Sequence, residues 1–403
     1  MRIAGIVAEY NPFHTGHAYQ IEQTRAALGG DAGVVAVMSG NWVQQAGCAV
    51  ADKWTRARLA LMGGADLVLE LPTVWAMSSA ESFARGAVGL LEGCGVVTHL
   101  SFGSECGDVD KLGQVAACLD SSAYQAGLRR FLDEGMTFAA CRQAAVRGLL
   151  GEELSGLLSG PNNNLGVEYI RALNALKSGI RPMTVTRRGA GHNTFAGGEE
   201  QPAFLSATQL RAYLREGRWE AAEPYLVPGG RALLEGNPGG LPGLERVERA
   251  VLARVRTMTA GDWARLPDSG EAEGLPQRLE KAGRQCTSME EFFDLAKSKR
   301  YTHARLRRLA LWAWLGLTAE GRPETPPYLR VLGFNGRGQT ILKEMKERAV
   351  LPVITKPAHA RQLGKAGRRL FEQEARCTDL YDLCLETVPA PGREWTTGPV
   401  ILP

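Results

Sequence analysis

The sequence predicts an α/β fold built on a doubly wound parallel sheet, continued by a mainly helical C-terminal domain. From residue 1 to about 215, apolar strand-like runs alternate with helical patterns. One of them, residues 33–38, is almost continuously apolar, as strands buried on both faces are. From about 216 the strand signal fades. A chain of 403 residues exceeds one ordinary core, so the division is placed between an α/β domain, 1–215, and a basic, mainly helical domain, 216–403.

The elements follow in order. Residues 3–7 form a first strand and 17–28 a helix; 33–38 is the second strand. Residues 52–63 are helical, 65–71 a third strand and 78–91 a helix. A fourth strand, 99–103, ends in a glycine turn; after helices over 108–155 comes a fifth, 183–187. Polar, glycine-punctuated turns stand at the strand C-termini, where open α/β sheets bind ligands. Beyond 216, residues 245–257 and 288–316 are expected to be helical. A short mixed unit closes the chain: a strand at 328–332, a helix near 338–349 and an apolar run at 351–354.

Composition is that of a folded globular protein, with 44% apolar and 22% charged residues. No apolar run reaches the ~20 residues that span a bilayer, and no signal-peptide pattern precedes the first strand. The expectation is a cytoplasmic protein without a membrane partner. Eight cysteines are scattered without C-x-x-C pairs, which argues against zinc and a disulfide framework. Net charge is +4, with the excess after about residue 284, which suits an anionic partner for the C-terminal part.

The chemistry concentrates in Ile6-Val7-Ala8-Glu9-Tyr10-Asn11-Pro12-Phe13-His14-Thr15-Gly16-His17. A strand that turns into a helix N-terminus presents orphan N–H groups and a positive dipole end to a phosphate. His14 and His17, at i and i+3, share one helix face and could stabilise charge on departing pyrophosphate. The bland alternative is a pair of surface or capping histidines; no nearby Glu or Cys completes a metal site. Ser206 can cap a helix presenting Thr208 and Arg211 as a second phosphate clamp. Asp52 is a helix cap, with Lys53 and Arg56 in reach of phosphate. Arg187 and Arg188 leave a strand end together, which suits an anion. Asn162 and Asn163, beside Asn164, open a helix either as turn chemistry or as contacts to a base or ribose.

Further on, Lys297, Lys299, Arg300, Arg305, Arg307 and Arg308 run with no acid between them. On a helix Tyr301, Arg305, Arg308 and Trp312 share a face apart from the apolar stripe, a pattern suited to phosphate contact with base stacking. A second acid-free stretch holds Lys356 and Arg361. Together they point to RNA or another polyanion.

These segments resemble the bacterial tRNA(Met) cytidine acetate ligases, whose ATP-binding half is similar to nucleotidylyltransferases. The resemblance is carried by residues 5–17, Ser39-Gly40-Asn41-Trp42-Val43-Gln44, Asp52-Lys53-Trp54-Thr55-Arg56-Ala57, residues 64–72, Phe102-Gly103-Ser104-Glu105, Pro161-Asn162-Asn163 and Ser206-Ala207-Thr208. It reaches Lys299-Arg300-Tyr301-Thr302 and residues 329–334. Trp42, Gln45 and Asn164 depart from the family pattern. The resemblance implies ATP contacts at Val7, Ala8, Glu9, Tyr10, Asn11 and Pro12, at Phe13, His14, Thr15, Gly16, His17 and Gln20, and at Gly103, Asn162, Asn163, Arg187 and Arg188. Ser206 and Thr208 would add a clamp, and His14, His17 and Lys53 would be catalytic.

The implied activity converts acetate and ATP to acetyl-adenylate, then acetylates N4 of the wobble cytidine of elongator tRNA(Met). ATP is then a substrate accompanied by Mg²⁺, for which the sequence offers no ligand set, and no protein partner is implied. A carboxylate nucleophile needs no base, so positioning and phosphate neutralisation suffice for the first step. The rivals are a small-molecule nucleotidylyltransferase, which has little use for the basic C-terminal part, and a non-catalytic RNA-binding protein.

Overall fold

In the computed structural model, which describes residues 1–134, 136–187, 204–270, 274–298 and 300–403, strand β1 (Ile3–Ala8) is an inner strand of the main sheet. It runs into α1 (Thr15–Leu28), and then follow β2 (Gly33–Ser39), a small hairpin of β3 (Trp42–Val43) and β4 (Gly47–Cys48), α2 (Lys53–Met62) and β5 (Leu67–Leu71). Helix α3 (Ala80–Gly93), β6 (His99–Ser104), α4 (Pro161–Leu176), β7 (Arg181–Thr186) and α5 (Ala207–Arg215) complete the N-terminal part. The later chain contributes α6 (His303–Trp314), β8 (Leu329–Phe334), α7 (Gly336–Arg348), β9 (Val353–Ile354), α8 (Lys365–Asp382), the single turn α9 (Arg393–Thr396) and β10 (Val400–Ile401).

The sheet order is β10-β8-β5-β2-β1-β6-β7, with β9 beside β8. All pairings are parallel except β5 with β8. Strand β2 explains why both faces are covered. Its Val34, Ala36 and Met38 enter one core with Ile6, Val68 and Leu332. Its Val35 and Val37 enter the other with Leu67, Leu69 and Trp312. That period-two division within a fully buried strand is what a continuous apolar run encodes.

The five expected strands appear as β1, β2, β5, β6 and β7. The expected helix over 288–316 divides into Met289–Ala296 and α6, because Ser288 and Thr302 each cap a new start by accepting an N–H three residues on. Beyond 216 the chain is mainly helical, yet β8 and β10 return to the main sheet. The boundary at 215/216 therefore does not coincide with the edge of the sheet. Among the described residues no helix is long and apolar enough to cross a membrane.

Candidate active site

The C-terminal ends of β1 and β6 form the topological switch of this sheet, with β2 continuing on one side and β7 on the other. Past β1, Tyr10 takes a left-handed φ of 46° and lays its ring on Phe13 and edge-on to His17, both at 4.8 Å. Asn11 fixes the turn: its Oδ1 accepts the Val50 N–H at 2.7 Å and its carbonyl accepts from Arg211 at 2.8 Å. Phe13 is fully buried over Gly63, where a Cβ would lie 2.1 Å from the ring.

His14 caps α1. Its Nδ1 accepts the Gly16 N–H at 3.0 Å, and the His17 Nδ1 accepts the His14 N–H at 3.2 Å. A Cβ at Gly16 would stand 2.9 Å from His14 Cε1, so glycine here seats the imidazole. With Nδ1 accepting in both rings, each neutral ring carries its proton on Nε2. Burial, then the charges of Arg187 and Arg211, hold the His14 pKa down to about 3. Burial, then His14 and Arg187, hold His17 well below its ordinary value. Both side chains are thus neutral Nε2–H donors at neutral pH.

These groups border a cleft of about 440 Å³. It gathers Val7, Ala8, Glu9, Tyr10, Asn11, His14, His17 and Gln20 from the first strand, loop and helix, Gly103 from β6, Asn162 from α4, and Arg187, Ser206 and Arg211. Glu9 is the one carboxylate lining it among the described residues. Its carboxylate accepts the Gln44 N–H at 2.7 Å, and burial raises its pKa against that bond and against Arg211 and Arg56. Phe102, Leu165, Tyr169 and Phe83 add apolar surface, and Gln44 and Gln45 form a rim. None of these six is among the ATP contacts expected from the sequence, although Gln44 and Phe102 stand in segments that carry the family resemblance.

Other expected contacts are not brought to the cleft. Pro12, Phe13, Thr15 and Gly16 do not line it; they set the shape of the loop. Asn163 is buried, with its Oδ1 accepting from Ser104 Oγ at 2.9 Å and the Glu105 N–H at 3.1 Å. It holds the β6 turn, while its neighbours Asn162 and Asn164 line the cleft, Asn162 hydrogen-bonded through its Oδ1 to Arg187 at 3.2 Å. Thr208 is exposed and accepts from Arg211 at 3.2 Å, so it orients the guanidinium. Arg188 and Lys299 lie outside the described residues.

Lys53 requires a correction. It is 1% exposed, with Nζ 2.6 Å from Glu70 and also paired with Glu394 of α9. An ammonium committed to two buried carboxylates cannot reach a phosphate. Arg56, also fully buried, donates to the carbonyls of Glu9 at 2.7 Å, Ala51 at 3.0 Å and Ser39 at 3.0 Å, and to that of Gly40. It ties the first loop to the end of β2. Asp52 caps α2, accepting the Thr55 N–H at 2.8 Å, as expected.

The aromatic face expected on α6 is not available for stacking. Tyr301 and Trp312 are buried, the latter donating Nε1–H to the Met77 carbonyl at 2.7 Å. Helix α6 packs Trp312 inward, leaves Arg307 exposed and keeps Arg305 and Arg308 half-buried. Arg300, Arg305 and Arg308 line a second cleft, of about 780 Å³. Lys297, Lys356 and Arg361 are exposed but do not border it. Among the described residues no group of three or more His, Cys, Asp or Glu side chains is placed to hold a metal ion.

A strand, a loop and a helix N-terminus carrying H-x-G-H at a parallel-sheet switch point define a nucleotidyltransferase-type site. The HIGH Nucleotidyl Transferase family model matches residues 1–393. The chain belongs to that family, in the branch of the tRNA(Met) cytidine acetate ligases. The relative named tRNA(Met) cytidine acetate ligase in Caldanaerobacter subterraneus is 39% identical over 394 residues, covering 95% of each chain. Its namesake in Syntrophomonas wolfei is 35% identical over 421 residues, 99% of each. A crystal structure of Thermotoga maritima TmcAL bound with alpha-thio ATP superposes with a TM-score of 0.90 at 33% identity, covering 100% of this chain and 99% of that one.

Proposed function

We propose that the protein is an ATP-dependent acetate ligase that acetylates N4 of the wobble cytidine in elongator tRNA(Met). The observation that carries this is the ring of donors at one cleft: His14 and His17 as neutral Nε2–H groups, with Arg187 and Arg211 as fixed charges. Such an array neutralises a triphosphate without itself supplying a nucleophile. The relatives' names supply the acyl donor and acceptor.

In the first step an acetate oxygen attacks the α-phosphorus of ATP. An O–P bond forms to acetate and the bond to the β-phosphate oxygen breaks. Pyrophosphate leaves with its charge met by His14, His17, Arg187 and Arg211. Mg²⁺ accompanying ATP would be held by phosphate oxygens and water, since the described residues offer no ligand cluster; the steps here use protein groups alone. In the second step cytidine N4 attacks the acetyl carbon, a C–N bond forms, and AMP departs as the C–O bond breaks. The N4 proton passes to Glu9, a base made stronger by its burial. Residues 1–215 hold ATP and acetate, residues 216–403 bring most of the tRNA surface, and an enzyme acting on tRNA works in the cytoplasm.

The test is incubation of purified protein with ATP, acetate and elongator tRNA(Met), followed by mass spectrometry of the nucleosides. N4-acetylcytidine dependent on both small substrates is expected. Unmodified tRNA beside intact ATP binding would overturn the assignment.

A further inference from the structure

The second cleft adjoins the first. Gln44, Gln45 and Ala80 line both, so the two spaces meet at the tip of the β3–β4 hairpin and the start of α3. One wall of the second cleft carries Arg300, Arg305 and Arg308. The helices Ser122–Asp133 and Phe138–Gly156 line the cleft too, through Leu128 and Phe138. Phe138 is 57% exposed at the first position of its helix, so its ring is open to a ligand in the cleft.

The charge is positive overall. Five arginines and three carboxylates line this cleft; Glu168 pairs with Arg142 and Arg171 at 2.6 Å each, which leaves Arg300, Arg305 and Arg308 with Glu81 and Asp268. Its volume of about 780 Å³ falls within the ~300–1,000 Å³ of spaces that bury a small ligand. An exposed aromatic ring in a cleft also lined by arginines and adjoining a nucleotide site has the chemistry that holds a base by stacking and its phosphates by charge. An acidic peptide would use the arginines but leave the ring without a planar partner.

We propose that the second cleft receives the target cytidine with its neighbouring nucleotides. Phe138 is the stacking platform, Arg300, Arg305 and Arg308 meet the phosphates, and the Gln44–Gln45 rim is the passage to the adenylate. This rests on the acetyl transfer proposed above. A base inside a stacked anticodon loop cannot present N4 to a carbonyl held in a cleft; it must leave the stack first. The helices of residues 122–156 therefore belong to the RNA surface together with α6, although they stand in the N-terminal part.

Two half-reactions separate the outcomes. Acetate-dependent exchange of labelled pyrophosphate into ATP reports the first cleft; acetylation of elongator tRNA(Met) reports both. In Phe138→Ala, exchange should be unchanged while kcat/KM for tRNA falls roughly tenfold to a hundredfold, the worth of one base–aromatic stack. Phe138→Trp should restore it. Arg308→Glu should lose acetylation at unchanged exchange. Wild-type acetylation rates in both Phe138→Ala and Arg308→Glu would overturn the cleft assignment alone. So would a parallel fall in exchange, which would place these residues in service of the ATP site. If the wild-type protein exchanges pyrophosphate but acetylates no tRNA, the acetyl-transfer reading itself falls, and the cleft assignment with it.

Discussion

His14 and His17 stack face to face, ring centroids 3.8 Å apart and planes 29° from parallel. Each ring is held through Nδ1 by a backbone N–H, so both Nε2–H groups are set before any ligand arrives. Pre-set donors cost no reorganisation in the reaction. Asparagine can keep the helix cap at 14 through its side-chain oxygen while losing that donor. His14→Asn should therefore unfold like the wild type at neutral pH yet lose about 10²–10³-fold in acetate-dependent pyrophosphate exchange. His17→Ala should lose exchange to a similar degree.

The same burial makes the pair a liability in acid. The folded-state pKa of His14 is lowered to about 3 from an ordinary 6.5, so below pH 6.5 the unfolded chain takes up a proton that the folded one refuses. Stability contributed by the neutral ring is present above 6.5 and is lost as pH falls towards 3, at up to about 1.4 kcal/mol per pH unit. Urea unfolding from pH 7 to 4 should show the loss, and His14→Asn should flatten it.

Lys53 offers a sharp contrast with a phosphate ligand. Lys53→Met leaves Glu70 buried without its cation and Glu394 with Arg330 alone, 3.5 Å away, which costs about 3–5 kcal/mol. Thermal unfolding should shift accordingly. At temperatures where the variant stays folded, calorimetry should still find ATP binding; abolished binding in a folded variant would return Lys53 to the phosphate site.

If Glu9 accepts the N4 proton, Glu9→Gln should slow acetyl transfer by about 10²–10⁴-fold. Pre-formed acetyl-adenylate, added with tRNA to the variant, isolates that step. Wild-type transfer should rise with pH through a carboxyl value above the ordinary one, because burial raises it; the variant should show no such rise.

Arg300 and Arg305 make a prediction about salt. Removing one arginine–phosphate pair should lower the slope of log affinity against log salt by about one. Fluorescence anisotropy with elongator tRNA(Met) should detect this for Arg300→Ala and Arg305→Ala, and ATP affinity should not move.

The β1 loop is legible in the sequence because strand, turn and H-x-G-H follow one another in the chain, and capping is a local matter. So is Asp52, whose partner is three residues away. Lys53 misleads because its partners, Glu70 and Glu394, lie 17 and 341 positions away; the sequence marks a cation but not what neutralises it. Tyr301 and Trp312 mislead for a related reason. A helix packed on more than one side buries more than its strongest apolar stripe, and the carbonyl that satisfies the Trp312 indole belongs to Met77. Gln44 stands in a segment that carries the family resemblance, yet nothing local marks Gln44 and Gln45 as a rim, and Phe138 carries no local signature at all.

The Lys53–Glu394 pair and strand β8 bear on how the protein is made. When a ribosome has delivered residues 1–215, β5 lacks the neighbour that β8 later provides, and Glu394 is still unmade. The nascent ATP site thus waits with an open sheet edge, and pairing that edge is left to the last quarter of translation. A ribosome stalled before residue 329 would present neither a finished enzyme nor a finished fragment, but a sheet ready to pair with another chain.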